Sequence, residues 1–254
     1  MSKGNGVVRL VQTLCLIATV GISASAAAGV LGFGGNSWKE EVLLHDGSKM
    51  VITRSQTYGG RHEIGQPPPI KEHTITFALP GSDKRITWTS EYGEDIGRTD
   101  FFLLAVHVLN GTPYIVASPN SCLSYNKLGR PNPPYVFFRY GGEAWHRVPF
   151  DEFPIEFRAI NVALDILGRD VKNLVSLGLV SADKIKELNR HTTVSAFRTI
   201  LREAVEQGTG ATNCPIPTTV TGKLIAPEVD GKPLHYNWWP IASEWLQNTY
   251  GHGK

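Results

Sequence analysis

Arg61, His62 and Glu63 place a cation, a titratable base and a carboxylate side by side. They stand in a long connection, Ser-Gln-Thr-Tyr-Gly-Gly-Arg-His-Glu-Ile-Gly-Gln-Pro-Pro-Pro-Ile, spanning residues 55–70. Long loops on a rigid scaffold often carry binding groups. The trio is therefore the expected ligand-binding position. If His62 faced an acid or a nucleophile inside a concavity, the same trio would serve a hydrolase. The plain alternative is a solvated loop of ordinary polar residues.

Motifs of established chemistry are incomplete. His62-Glu63-Ile64-Gly65-Gln66 begins like a zinc-protease helix, but Gln66 stands where the second imidazole is needed. No metal site and no cofactor are expected. Ser124-Tyr125-Asn126-Lys127 and Ser181-Ala182-Asp183-Lys184 both match Ser-x-x-Lys, without the companion Lys-Thr-Gly of penicillin-recognising enzymes. Ser181 reads as a helix cap. A second long loop, 119–134, holds Cys122, Tyr125, Asn126, Lys127 and Arg130 and reads as a disulfide-anchored structural loop. His107 lies in an apolar run and reads as a core histidine. His146 reads as outward-facing, and His45 as part of a tight turn. Asp151, Glu152 and Glu156 suit a helix start, where the dipole favours acids.

The N-terminus reads as an export signal over residues 1–26. Lys3 and Arg9 precede a largely apolar run at 10–22, and Ser23-Ala24-Ser25-Ala26-Ala27-Ala28 offers signal peptidase a site after Ala26 or Ala28. The alternative is an uncleaved anchor that uses Gly29 to Leu31 to reach a spanning length. Cleavage removes Cys15 and leaves Cys122 and Cys214, which an oxidising compartment would join. The expected location is periplasmic or secreted. Without Lys3 and Arg9 the basic residues fall from 25 to 23, matching the 23 acidic ones. That balance speaks against a nucleic-acid partner, and no second apolar stretch suits membrane insertion.

The elements that position these residues read as α+β: an antiparallel β-hairpin sandwich or open barrel over 38–150, then a C-terminal helical segment. Runs at 38–44 and 49–54 flank His45-Asp46-Gly47-Ser48, and 74–79 and 85–89 alternate around a Pro-Gly turn. The apolar run 101–109 suits a central strand buried on both faces, and Asn110-Gly111 marks a type I′ hairpin back to 114–117. A fourth hairpin joins 135–140 to 144–148. Over 151–208 the period becomes helical. Apolar stripes predict helices at 155–167 and 194–205, and Ser181 predicts one through Leu188. Residues 209–254 read as a loop-rich tail, with Trp238, Trp239 and Trp245 on a short aromatic helix.

Residues 38–47, Trp-Lys-Glu-Glu-Val-Leu-Leu-His-Asp-Gly, resemble the mature start of uncharacterised exported proteins of proteobacteria. Those proteins have no assigned activity, so the resemblance carries over no catalytic residue. The expected function is a non-catalytic exported envelope or secreted protein that binds a protein or small-molecule partner through its long loops. The alternatives are an extracytoplasmic hydrolase at Arg61, His62 and Glu63, and a protein held to the membrane by its N-terminal helix.

Overall fold

Alternation of apolar and polar residues gives each N-terminal strand one buried face, and in the computed structural model these faces meet as two packed sheets. The structure describes residues 35–235, except 61, 63, 64, 80, 95, 165, 167, 168, 215–217, 221, 222, 230 and 231. The leading strands are β1 (Asn36–Leu43), β2 (Lys49–Tyr58), β3 (Ile70–Ala78) and β4 (Arg85–Thr89). A short ladder, β5 (Tyr92–Gly93) with β6 (Arg98–Thr99), leads into β7 (Phe101–Leu109) and β8 (Thr112–Pro119). Helix α1 (Cys122–Lys127) precedes the hairpin β9 (Val136–Tyr140) and β10 (Trp145–Val148). Then come α2 (Arg169–Ser176), β11 (Leu179–Val180) and α3 (Ala182–Asn189). The expected α+β class holds.

The first sheet runs β11-β1-β2-β3-β4, antiparallel except for the β11–β1 pair, and the second runs β10-β9-β8-β7. Val42, Ile52, Ile75, Phe77 and Trp88 of the first sheet pack on Phe101, Leu103, Val106, Ile115 and Phe138 of the second. Trp88 and Phe101 both meet Phe138 edge-on, with centroids 5.4 and 5.5 Å away. Asn110 and Gly111 have φ of 50° and 75°, as the type I′ turn requires.

The second sheet is covered on its other face as well. Leu104, Ala105, Val116 and Phe137 pack there on Phe153, Phe157, Ala196 and Ile200. That explains the apolar run of β7, although β7 is an edge strand by pairing and not a central one. The Asn161 side chain occupies its free edge. It accepts from Val106 N at 2.9 Å and donates to Val106 O at 2.7 Å and to Leu43 O of β1 at 3.0 Å. One amide thus ties the two sheets together.

The covering segments correct two helix expectations. Residues 155–164 are irregular, and 194–205 hold only a 3-10 turn at Ser195–Phe197. An isolated bridge joins Ala159 to Thr199. The Arg202 guanidinium donates to the carbonyls of Phe153, Pro154 and Phe157, acceptors a helix would have used itself. The apolar stripes are satisfied by laying near-extended chain over a sheet, and Ile155 is left 65% exposed. Helix α3 forms as expected, with Ser181 Oγ accepting from Lys184 N at 3.2 Å. Helix α2 is an addition; its Val171 and Leu174, one turn apart, pack against Trp38 and Val180.

In the region expected to be loop after residue 209, the backbone pairs β12 (Thr218–Val220), β13 (Lys223–Val229) and β14 (Lys232–His235) into a three-stranded antiparallel sheet. The export signal and the aromatic segment at Trp238, Trp239 and Trp245 lie outside the described residues. Among the described residues no helix is long and apolar enough to cross a membrane.

Candidate functional site

Strand β2 continues to Tyr58, so the connection that carries Arg61, His62 and Glu63 shrinks to residues 59–69. Gly59 N donates to Pro69 O at 3.0 Å and closes its neck. Gly60, at φ +95°, lies so close to the β5–β6 turn that a Cβ would stand 2.2 Å from Gly97 O. His62 follows, exposed, with Nδ1 2.9 Å from Gly60 O of its own loop. Arg61 and Glu63 lie outside the described residues.

The second loop is built as a structural clamp. Cys122 and Cys214 form a disulfide across 92 residues of sequence, with Cα atoms 5.2 Å apart. Ser121 caps α1, its Oγ accepting from Ser124 N at 3.2 Å. Ser124 Oγ and Lys127 Nζ both turn to the buried carboxylate of Asp100, at 3.3 and 3.0 Å. The Ser-x-x-Lys spacing here therefore holds a carboxylate and arms no nucleophile. Tyr125 is buried under the Arg130 guanidinium, which donates to Cys214 O at 3.0 Å. Asn132 exchanges two hydrogen bonds with the backbone of Val205, at 2.8 and 2.9 Å.

A cleft of about 600 Å³ opens at one end of the sandwich. Three connections meet there: the one between β3 and β4, Asn110-Gly111 and Gly141-Gly142. Lys84 and Arg139 bring two cations to its wall, and Tyr114 and Tyr140 bring two aromatic rings; among the described residues no carboxylate lines it. Lys84 Nζ donates to Gly142 O at 2.8 Å and lies 5.8 Å from the Tyr140 ring centroid. Arg139 meets Glu152 only at 3.7 Å, both about half exposed, and such pairs are weak. Its planar fork of donors suits an oxyanion.

A second polar centre lies inside the sandwich. Glu40, Arg54, Gln56 and His73 occupy inward positions of β1, β2 and β3, and Gln56 faces His73 directly across the ladder. Glu40 Oε1 accepts from Trp38 Nε1 at 2.6 Å and from Arg54 Nη1 at 2.8 Å, and Oε2 accepts from Ala163 N at 3.1 Å. Arg54 Nη1 also donates to Ala163 O, and Gln56 Nε2 to Ile166 O. His73 is 3% exposed, and neither ring nitrogen has a hydrogen-bond partner among the described residues. Burial, helped by the Arg54 charge, pushes its pKa down to about 3. A cavity of about 20 Å³ borders His73, Arg54 and Gln56. The sequence signal for this centre is polar residues at inward positions of otherwise apolar alternations, as in Ile52-x-Arg54-x-Gln56 and His73-x-Ile75-x-Phe77.

His107 and His146 take the places their neighbours imply. His107 is buried, stacks on Phe157 at 4.6 Å and sets Nε2 2.9 Å from Ala159 O. Burial lowers its pKa to about 4. His146 is exposed on β10. Comparison with protein-family models, with curated proteins and with solved structures finds no match to this chain.

Proposed function

We propose that the protein works outside the cytoplasm as a non-catalytic binding protein and holds an anionic ligand in the cleft between its three connections. The convergence of Lys84 and Arg139 with Tyr114 and Tyr140, on a wall to which the described residues bring no carboxylate, carries this reading. The disulfide supports the location, because such bridges persist in oxidising compartments. The site falls on connections at the sandwich end and not on the long loop at Arg61, His62 and Glu63. The exposure of His62 favours binding over the hydrolase alternative.

The test is titration of the mature protein with inorganic phosphate and with glucuronate, followed by amide NMR. Shifts centred on Gly111 and Gly142, lost in a Lys84→Ala/Arg139→Ala variant, support the reading. No shift at millimolar ligand, or shifts that survive the double substitution, overturn it. Intact-mass analysis of envelope protein tests export, which predicts a mature start at Ala27 or Gly29.

A further inference from the structure

The polar centre inside the sandwich has donors that its own protein partners do not use. Arg54 directs Nη1 to Glu40 and Ala163, and its guanidinium borders the cavity. His73 brings two unpartnered ring nitrogens to the same cavity. The Gln56 amide is occupied at both ends, by Ile166 O and by Tyr58 Oη. The rest of the wall is apolar, from Ile70, Phe102, Leu104 and Ile166. A space of about 20 Å³ admits a ligand of atomic size and excludes a carboxylate or a phosphate.

Charge decides which ligand suits it. Among the described residues the charged or titratable groups on this face are Glu40, Arg54, Tyr58 and His73. Glu40 and Arg54 cancel each other, so an anion entering alone would leave a buried net charge, and so would a proton arriving alone on His73. Entering together they leave none. The anion accepts from the imidazolium, whose ring nitrogens otherwise have no partner among the described residues, and lies beside the Arg54 guanidinium. We propose that this cavity is an internal site for a monatomic anion of the chloride class, taken up together with a proton on His73. The coupling is reciprocal: acid strengthens anion binding, and the anion strengthens proton binding. The site is separate from the cleft and stands whether or not the cleft binds its ligand.

Bromide and chloride are the probes. The His73 ring is titrated by ¹⁵N NMR in sodium chloride and in sodium gluconate at equal ionic strength. Saturating chloride is expected to raise the proton affinity of His73 by about a hundredfold, which protonates about half of it at pH 5. Crystals grown at pH 5 in sodium bromide are expected to show one anomalous peak between His73 and Arg54. Thermal melting at pH 5 should favour chloride over gluconate, and His73→Gln, which keeps a polar side chain without the titration, should erase the difference. A His73 titration indifferent to chloride with no bromide peak, the signature of water alone, overturns the proposal. So does a chloride effect retained in His73→Gln.

Discussion

His73 and His107 hold neutral rings where a charge would be costly, and that makes them acid-labile supports. Their folded pKa values, about 3 and about 4, lie below the 6.5 of an ordinary histidine. As pH falls below 6.5 the unfolded chain takes up these protons first, which favours unfolding. Stability is full above that pH and drops by about 1.4 kcal/mol per pH unit for each histidine, until the folded values are reached. Urea midpoints measured in gluconate buffers should be flat from pH 8 to 7 and fall steeply between 6 and 4.5. A flat profile would show that the rings protonate in place. At this scale part of the site was legible: Arg54, Gln56 and His73 interrupt apolar alternations at inward positions. Asn161 was not, because the strand edge it serves belongs to residues 55 positions away in sequence.

Elements divide by how local their causes are. The hairpins were legible because alternation and turn residues act between neighbours, as at Asp46-Gly47 and Asn110-Gly111. The stripes at 155–167 and 194–205 misled because a helical period records only which residues want burial. A sheet face can bury them along irregular chain, provided something else takes the backbone carbonyls. Arg202 does so at Phe153, Pro154 and Phe157. Arg202→Ala should leave those partly buried acceptors without donors and cost about 2–4 kcal/mol. Hydrogen exchange should rise first at 153–164, ahead of the strands. Equal protection there would mean the segment stands without its arginine.

The two sheets and the segments that cover the second sheet form three layers, and the Cys122–Cys214 disulfide pins the cover to α1. The α+β class and the disulfide followed from pattern and cysteine count, whereas the cleft did not, since its three connections are far apart in sequence and none is a long loop. The Cys122–Cys214 bridge restrains a chain of 92-residue separation, and the chain-entropy model gives such a loop roughly 4–5 kcal/mol, with measured values often lower. Reduction, and separately Cys122→Ser/Cys214→Ser, should lower the urea midpoint to the same extent. The loss should concentrate where 205–214 lies over α1, through the contacts of Arg130 and Asn132. A midpoint that ignores reductant would remove the bridge from the stability of the fold.

The Asn161 amide that joins the two sheets has a consequence beyond the single folded chain. Strand β7 is an almost wholly apolar run, and among the described residues its outer backbone groups face no other strand. An open edge of that composition is a template on which a second chain can add itself. By occupying both Val106 groups, Asn161 denies that template to neighbouring molecules. One side chain thus guards against self-association.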